Sequence, residues 1–516
     1  MNLAQMIDQS VLQFPERLAM TDGLVALTYQ ELHDRSMAVA RFFRHNGLNP
    51  GDRVLIWLPN VTDAMVLAYA TWWVGGVFVP LNTRFSVPDL LSVLDDAKPR
   101  FLFALADDRT RLEEKGIQNS IPVYWVGDTA GDDRSLGGIV ESYSGLTEPL
   151  AMEPRRDNEA ALLMYTSGTT GRPKGVIQTQ RNNTAAVSMV QECWQIRHLD
   201  RFLVSVPLFH VGGMQCAVLP ALTSGAAVSL LPRWSAETWV NLASTFQPTI
   251  TALVTTMLVD LIRWGEEHAD TLPDLSSLRV TVMGGSSTPP AVVNRFQSLF
   301  GIHLIELYGQ TELTGLSVTY RAGEAWRVGS IGKTQSQVLD TALYTDGHIL
   351  YPIVPGITGE LLFRGETISS GYWQQPDKTQ ERHIGEWFRT GDMVSADDEG
   401  YLYYRDRVDD MIVTGGENVF PAEVETILSA LPGIRQVAVI GTPHPRWGQE
   451  VTAFIVPSTA DLSLEQIRLR IENHPGLAPY KRPRRIELVT SLPKTGSGKI
   501  NKAWLKKQYS QSEGEV

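Results

Sequence analysis

The sequence predicts an α/β protein, a layered body with mostly parallel sheets followed by a small α+β domain. Strand and helix candidates alternate from the start of the chain to beyond residue 300, an order typical of parallel sheets covered by helices. Near residue 400 the pattern changes to an acidic turn, a short strand and a charged segment. At 516 residues the chain exceeds what one hydrophobic core usually serves. We therefore expect two domains, residues 1–408 and 409–516.

The first elements follow in chain order. Residues 28–31, Thr-Tyr-Gln-Glu, form a capping box that begins a helix, and Gly47 ends it. Residues 54–58, Val-Leu-Ile-Trp-Leu, predict a buried strand. Residues 64–81 are apolar and almost long enough to cross a membrane, but Gly75-Gly76 and Pro80 divide them into a helix and a strand. We expect them to be buried core, in a protein without a transmembrane segment.

Composition narrows the function classes. Hydrophobic residues make up 43% of the chain and charged residues 20%, which is the ordinary globular range. The net charge of -12 argues against a nucleic-acid partner, because phosphate-backbone binding needs clustered Lys and Arg. The two cysteines, Cys193 and Cys216, cannot form a disulfide framework, and no secretory signal precedes them, so we expect a cytoplasmic protein. A homodimer is compatible with this composition.

A candidate phosphate loop occupies residues 165–175, Tyr-Thr-Ser-Gly-Thr-Thr-Gly-Arg-Pro-Lys-Gly, after a predicted strand at 160–164. Its glycines let backbone N–H groups approach a polyphosphate, its hydroxyls donate to phosphate oxygens, and its lysine adds a point charge. A flexible polar loop is the alternative for the small residues alone. The Walker A spacing is absent. The candidate ATP-binding residues here are Thr166, Ser167, Gly168, Thr169, Thr170, Gly171 and Lys174.

This loop resembles the signature loop of the adenylate-forming superfamily, which includes acyl-CoA synthetases, firefly luciferase and nonribosomal adenylation domains. Four further motif regions follow in the superfamily's order: Tyr-Gly-Gln-Thr-Glu at 308–312, Thr-Gly-Asp at 390–392, Arg-Val-Asp-Asp at 407–410 with Gly-Gly-Glu-Asn at 415–418, and Pro-Lys-Thr-Gly-Ser-Gly-Lys-Ile at 493–500. The resemblance therefore covers most of the chain. It implies a ligase that forms an acyl-adenylate from a carboxylic acid and ATP and then an acyl-CoA.

The resemblance also implies roles for individual residues. Glu312 would hold Mg²⁺ on the phosphates, Thr311 would contact the α-phosphate, and Lys499 would bridge the carboxylate and the α-phosphate region. His210 joins these three as a catalytic candidate. The remaining nucleotide contacts would come from Gly284, Gly285, Tyr308, Asp392 and Arg407.

Catalysis by Lys499 requires domain closure, because the other catalytic candidates lie in the large domain. After adenylation the small domain of such enzymes rotates, and Asp409 occupies the hinge position. The rotation would present a thiol-binding face whose candidate coenzyme A contacts are Gly415, Gly416, Glu417, Trp447, Tyr480 and Arg482.

The acyl pocket is predicted to be apolar, without a cation for a second carboxylate. Its candidate residues are Val211, Gly212, Gly213, Met214, Thr256 and Gly315. This favours an aliphatic (fatty) or aromatic monocarboxylic acid. Two alternatives stay open, a ligase that loads a carrier protein in trans and an adenylate-binding protein without catalysis. An amino-acid-activating domain is disfavoured, because His210 stands where such domains carry an Asp after Phe209.

Overall fold

The computed structural model describes residues 2–127, 134–146, 148–166, 173–286, 288–334, 338–415, 417–458, 463–472, 474, 476–494 and 500–511. The chain divides into two compact units, Met1–Asp340 with Phe363–Phe388, and Thr341–Leu362 with Arg389–Val516. This division reflects which residues pack together in the structure. The predicted boundary between residues 408 and 409 concerns a hinge, and it stays a prediction.

The helices lie mainly between consecutive strands, as the alternating pattern predicts. In chain order they are α1 Leu3–Gln13, α2 Tyr29–His45, α3 Thr62–Trp73, α4 Val87–Ala97, α5 Arg109–Glu113, α6 Leu136–Ser144, α7 Gln180–Trp194, α8 Val211–Gly213, α9 Leu219–Leu222, α10 Ala236–Phe246, α11 Thr255–Glu267, α12 Pro290–Phe300, α13 Pro376–Glu381, α14 Pro421–Ser429, α15 Leu464–Glu472 and α16 Lys502–Gln511.

The strands are 2 to 11 residues long, and most of those in the first unit belong to parallel pairs. In chain order they are β1 Leu18–Thr21, β2 Ala26–Thr28, β3 Arg53–Trp57, β4 Val77–Pro80, β5 Phe101–Leu105, β6 Val123–Val126, β7 Ala160–Thr166, β8 Lys174–Thr179, β9 Arg201–Val204, β10 Ala227–Leu230, β11 Ile250–Leu253, β12 Val280–Gly284, β13 Leu304–Gln310, β14 Gly315–Thr319, β15 Leu339–Thr345, β16 His348–Leu350, β17 Thr358–Gly365, β18 His383–Ile384, β19 Trp387–Ala396, β20 Leu402–Arg407, β21 Ile412–Thr414, β22 Glu417–Val419, β23 Ile434–His444, β24 Gly448–Pro457 and β25 Arg485–Leu488.

Two large sheets form the first unit. One has the order β6-β5-β3-β4-β7-β8 and the other β14-β13-β12-β11-β9-β10-β1-β2. Pairs inside both sheets are parallel, and antiparallel pairs occur at the edges, between β7 and β8, β13 and β14, and β1 and β2. The carboxyl ends of parallel strands meet at one edge of a sheet, which is where ligands bind in such folds.

The early predictions are confirmed. The Thr28 side chain accepts a hydrogen bond from the backbone N–H of Glu31 and caps α2, which ends before Gly47 at φ +73°. Residues 64–81 form the buried α3 and β4. Since α3 is surrounded by core, its residues are apolar on every side. Among the described residues, no helix combines the length and apolar character that a membrane crossing requires.

The second unit contains a smaller sheet in the order β22-β21-β24-β23, with β25 parallel to β24. The long hairpin of β23 and β24 packs α14 and α15 around a core that includes Val439, Ala453 and Ile467. A further sheet has the order β16-β15-β17-β19-β18, and β20 pairs with β19. The architecture is therefore mixed α/β, with mostly parallel sheets first and a small, mostly antiparallel C-terminal part, as predicted.

One buried carboxyl group lies on a strand that leads into the candidate site. Glu306 of β13 is 6% exposed, and burial raises its pKa to about 8, while a hydrogen bond from Trp326 opposes the shift. The group is thus protonated in the folded protein at neutral pH. Its ordinary pKa of 4.5 is lower, so its contribution to stability is complete below pH 4.5 and is lost as the pH rises through 8.

We expect Glu306→Gln, which mimics the protonated acid, to change how the melting temperature depends on pH. Between about pH 5 and pH 9 the wild type should lose about 2 to 4 °C relative to this variant. Differential scanning fluorimetry across that range measures the difference. The exposed Glu267→Gln serves as the control and should follow the wild type. A constant difference between wild type and Glu306→Gln would contradict the prediction.

Candidate active site

The mouth of the phosphate loop is defined by an antiparallel strand pair. Thr166 at the end of β7 is the register partner of Lys174 at the start of β8. The loop therefore leaves and re-enters the sheet at adjacent positions. The predicted contacts Ser167, Gly168, Thr169, Thr170 and Gly171 lie outside the described residues.

Lys174 lies in a strongly basic setting. Its ammonium group is partly buried, and its pKa is lowered by burial and then by the nearby cations of Lys378 and Arg382. Its Nζ atom lies 5.8 Å from the centroid of the Tyr372 ring. Neighbouring cations repel one another, and a bound polyanion stabilises their charged forms.

The sequence predicts a strand at residues 302–307 followed by a turn at Glu312. The Tyr-Gly-Gln-Thr-Glu motif instead begins inside the strand. β13 continues through Gln310, and Thr311 and Glu312 form the 3₁₀ turn that follows. A Cβ atom at Gly309 would overlap the carbonyl oxygen of Gly315 on the adjacent strand. Only glycine fits at this crossing, and the turn is therefore pressed against β14.

The turn is held by side chains that sequence reasoning did not identify. The Tyr372 hydroxyl donates a hydrogen bond to Glu312 Oε1 at 2.7 Å. The backbone N–H of Ser369 donates to the Glu312 carbonyl at 2.8 Å. Thr314 adopts a left-handed φ of +56°, uncommon for a β-branched residue, and its hydroxyl donates to the Thr367 carbonyl at 2.7 Å. These bonds fix the position of the Glu312 carboxylate.

The predicted adenine wall follows β12. Gly284 is paired with Leu307 of β13, and a Cβ atom on Gly284 would come within 2.9 Å of the Leu307 carbonyl oxygen. Gly285 has a φ of +84°, which glycine adopts without strain. Beyond it, the hydroxyl of Thr255 contacts those of Ser286 and Thr288 at 3.1 and 2.8 Å. The wall is therefore lined by hydroxyl groups on this side.

The structure brings together several of the predicted acyl-pocket residues. A Cβ atom on Gly315 would lie 3.0 Å from Cys216 Sγ and 3.7 Å from Val211 Cβ. Val211, Gly212 and Gly213 form α8, and Met214 begins a π-helical turn, a feature often found at functional sites. A Cβ atom on Gly213 would overlap the carbonyl of Pro207. The pocket wall is thus made of small and apolar groups at close packing.

A chain of buried amides runs behind this wall. Gln215 Nε2 donates to Gln178 Oε1 at 2.6 Å and to Asn183 Oδ1 at 3.0 Å. Gln178 Nε2 in turn donates to the carbonyl of Thr311 at 3.0 Å. Since Gln178 and Gln215 have no exposed surface, these bonds are not weakened by competing water. They connect the acyl-pocket helix directly to the turn that carries Glu312.

Two other candidates have less defined surroundings. His210 precedes α8, and its ring lies 4.8 Å from that of Phe209. Thr256 is exposed near the start of α11. The assignment of both residues to the site rests on the family resemblance.

Asp392 and Arg407 form an ion pair in the second unit. They are register partners on β19 and β20, and Arg407 Nη1 donates to Asp392 Oδ1 at 2.9 Å. The strand-like stretch at residues 386–389 predicts a strand that ends at Asp392, and this is wrong, because β19 continues to Ala396. The pairing with β20 extends the strand past the Thr-Gly-Asp motif.

Glu360 organises the Thr-Gly-Asp motif and was missed by sequence reasoning. Its Oε2 accepts two hydrogen bonds from Arg389, at 2.6 and 3.0 Å, and its Oε1 accepts the backbone N–H of Gly391 at 3.0 Å. The carboxylate is 4% exposed. A buried, charge-assisted network of this kind fixes the backbone immediately before Asp392.

The predicted hinge residue lies in a short 3₁₀ turn, Val408–Asp410. Lys506 of α16 donates to the Asp409 carbonyl and to Asp410 Oδ1, each at 2.8 Å. Just before the turn, Asp406 accepts the backbone N–H of Ala422, and burial raises its pKa to about 6. The segment is therefore anchored to the C-terminal helix and to α14.

The candidate coenzyme A contact Gly415 directly follows β21. Thr414, the last residue of β21, pairs with Glu417 of β22, so Gly415 begins the turn of a β-hairpin. Gly415 has φ +60°, as such turns require, and a Cβ atom there would lie 2.9 Å from the Trp447 ring. Gly416 lies outside the described residues.

Trp447 is half-buried, and two arginines lie over it. The guanidinium carbons of Arg446 and Arg484 are 4.5 and 4.8 Å from the ring centroid. Arg482 instead donates to the carbonyl of Leu477, and Tyr480 packs against the core of the unit. The basic groups beside the indole are therefore Arg446 and Arg484, and the sequence had singled out only Arg482.

Lys499 lies outside the described residues, so its predicted role stays a prediction. The residues that sequence reasoning missed are Tyr372, Gln178, Gln215, Glu360, Arg446 and Arg484. Their signal is weak, because single aromatic, amide and charged residues are common at any position. Only the fold shows what each of them contacts.

The residues present fit a magnesium ion. Mg²⁺ is usually bound through one or two carboxylates together with substrate phosphates, and no larger ligand cage is needed. Glu312 offers a fixed carboxylate with one oxygen engaged by Tyr372. Among the described residues no cluster of three or more His, Cys, Asp and Glu side chains could hold a metal alone.

Lys174 near Glu312, the glycine-rich wall and the uncharged side chains around Gly315 suit an enzyme that brings a carboxylic acid to ATP. The chain belongs to the AMP-binding enzyme family, whose model matches residues 7–373. The model of the AMP-binding enzyme C-terminal domain matches residues 423–499.

Named relatives share nearly the whole chain. A feruloyl-CoA synthase from an Amycolatopsis species is 34% identical, with 96% of each chain aligned. A long-chain-fatty-acid–CoA ligase of Mycobacterium tuberculosis is 31% identical, with 94% of each aligned. The solved structure of o-succinylbenzoate CoA synthetase from Bacillus subtilis, in complex with its acyl-adenylate intermediate, has a TM-score of 0.84 and 27% identity, covering 98% of this chain and 97% of that one. The chain is an AMP-forming acid–thiol ligase, and loading of a carrier protein is not favoured.

Proposed function

We propose that this enzyme activates an aromatic or fatty monocarboxylic acid as its acyl-adenylate, with release of pyrophosphate, and transfers the acyl group to coenzyme A. The observation that carries this proposal is the wall around Gly315. The side chains that meet there belong to Val211, Gln215 and Cys216, and none is charged. Such a wall suits an uncharged acyl group, and the named relatives act on a phenolic and a long-chain acid.

The first half-reaction brings an anionic carboxylate to the α-phosphorus of a polyanion. The cations of Lys174, Lys378 and Arg382 offset the phosphate charge and favour the departure of pyrophosphate. Mg²⁺, when bound through Glu312, supplies further neutralisation of the phosphate oxygens. The Thr311 hydroxyl donates a hydrogen bond to the α-phosphate. The Asp392 carboxylate, which is paired with Arg407, accepts hydrogen bonds from the ribose hydroxyls.

Lys499 supplies the donor at the reacting carboxylate, and the domains close to deliver it. After adenylation the chain rotates about Asp409, at the proposed boundary between residues 1–408 and 409–516. The turn that begins at Gly415 then admits pantetheine. The indole of Trp447 stacks on the adenine of coenzyme A, and Arg446, Arg482 and Arg484 provide positive charge for its phosphates.

The cellular location, metabolic role and oligomeric state stay predictions. Two buried, unpaired cysteines suit a reducing compartment, so a cytoplasmic location stays a prediction. A role in fatty acid metabolism and a homodimeric state are likewise predictions. The native mass by light scattering tests the dimer.

A screen of acids by coupled pyrophosphate release, run with and without coenzyme A, tests the proposed function. Aromatic and medium- to long-chain monocarboxylic acids should release pyrophosphate, and the turnover should rise when coenzyme A is added. Dicarboxylic acids should be poor substrates because the pocket wall carries no cation. A preference for dicarboxylic or amino acids would overturn the substrate class.

We expect Lys499→Ala to abolish most acyl-adenylate formation and to spare thioester formation from supplied acyl-adenylate. The reason is that the lysine acts only in the adenylating arrangement, where loss of a transition-state donor costs about 3 to 4 kcal/mol. Pyrophosphate exchange measures the first half-reaction, and thioester release measures the second. Exchange at the wild-type rate would show that the lysine has another role.

Trp447→Ala should raise the KM for coenzyme A about tenfold, because stacking on an aromatic ring contributes roughly 1 to 3 kcal/mol. Adenylation should be unchanged. Pantetheine lacks the nucleotide, so it should be a poor acceptor and insensitive to the substitution. If the wild type used pantetheine as well as coenzyme A, the nucleotide site on this surface would not exist.

A further inference from the structure

Tyr372 joins the two motifs that bind ATP in the first unit. Its hydroxyl lies 2.7 Å from Glu312 Oε1, which is the distance of a strong hydrogen bond to a charged acceptor. The same ring lies 5.8 Å from Lys174 Nζ. The proposed function assigns no role to this tyrosine.

The backbone around Tyr372 is attached to the strand that leaves the phosphate loop. Ser370 N–H donates to the Ile177 carbonyl at 3.0 Å, Ile177 N–H to the Gly371 carbonyl at 2.9 Å, and Trp373 N–H to the Gly175 carbonyl at 2.7 Å. Residues 370–373 thus form an edge segment on β8. The position of this segment is therefore linked to that of Lys174, because Gly175 and Ile177 of the same strand make these bonds.

Other contacts fix the orientation of the side chain. Tyr372 N–H donates to Thr379 Oγ1 at 2.9 Å, and a Cβ atom on Gly371 would overlap the side chain of Thr379. Burial and the neighbouring Glu312 carboxylate raise the pKa of the Tyr372 phenol, while Arg382 opposes the shift. The 2.7 Å distance to a carboxylate oxygen makes the phenol the donor of this hydrogen bond.

We propose that Tyr372 is a positioning residue for the metal, holding Glu312 Oε1 so that the other carboxylate oxygen faces the magnesium of bound ATP. This inference rests on the proposed role of Glu312. A hydrogen-bonded ligand loses less conformational freedom on binding, and loss of such an outer partner typically weakens metal affinity by about 10- to 100-fold. Tyr372 also makes the carboxylate position depend on the strand that carries Lys174.

Titration calorimetry of ATP, with Mg²⁺ and with a chelator, tests this role without turnover. The wild type should bind ATP more tightly when Mg²⁺ is present. In Tyr372→Phe the Kd with Mg²⁺ should rise about tenfold, whereas the Kd with chelator should stay within about twofold. The KM for Mg²⁺ in pyrophosphate exchange should rise in parallel.

Tyr29→Phe is the matched control. The Tyr29 hydroxyl is fully buried and donates to the Ala226 carbonyl at 2.7 Å, far along the chain from both motifs. It should lower the melting temperature and leave both Kd values unchanged. A Tyr372→Phe variant that lost thermal stability but kept the Mg²⁺-dependent gain in affinity would overturn the positioning role.

A double-mutant cycle separates this inference from the function beneath it. In a Glu312→Gln background, Tyr372→Phe should have no further effect on the Mg²⁺-dependent gain, because it acts through Glu312. Additive losses would overturn the inference alone. If Glu312→Gln by itself kept the whole gain, the metal role of Glu312 would fall, and the inference with it.

Discussion

The pairing of residues 370–373 with β8 is the constraint on which the first half of the site depends. Three backbone hydrogen bonds hold this segment against the strand that starts at Lys174. A fourth, from Ser369 to the Glu312 carbonyl, attaches the segment to the 3₁₀ turn. Backbone hydrogen bonds thereby fix the relative positions of the segments that carry Lys174 and Glu312, and the contact from Tyr372 then orients the Glu312 carboxylate.

Glycine contacts supply the second constraint. A Cβ atom on Gly309 would overlap the Gly315 carbonyl, so β13 cannot carry a side chain at this crossing, and Gly213 approaches Pro207 in the same way. These close approaches press β13 against β14 and place Gly315 beside Cys216 and Val211.

Much of this arrangement could be predicted from the sequence, because periodicity and motif order are local signals. The capping box of α2, the buried α3 and β4, and the strand before the phosphate loop are all confirmed. The end of the strand at Asp392 was wrong, since β20 pairing prolongs β19 and pairing is a long-range property. Tyr372, Glu360 and Gln215 were missed for the same reason, because each acts through a partner far away in the chain.

The buried amide chain has a consequence for how the substrate range of such a scaffold can diverge. Gln215 and Cys216 are neighbours on one helical turn, yet only Gln215 is hydrogen-bonded towards the Thr311 carbonyl, through Gln178. Replacing Cys216 or Val211 reshapes the pocket and leaves that connection in place. Replacing Gln215 leaves the buried side-chain oxygens of Gln178 and Asn183 without this hydrogen-bond donor. Under the proposed function, these adjacent positions therefore differ in how freely they can be substituted. Cys216 can change to suit a different acid, whereas Gln215 is connected through Gln178 to the turn that carries Glu312, which every acid would use.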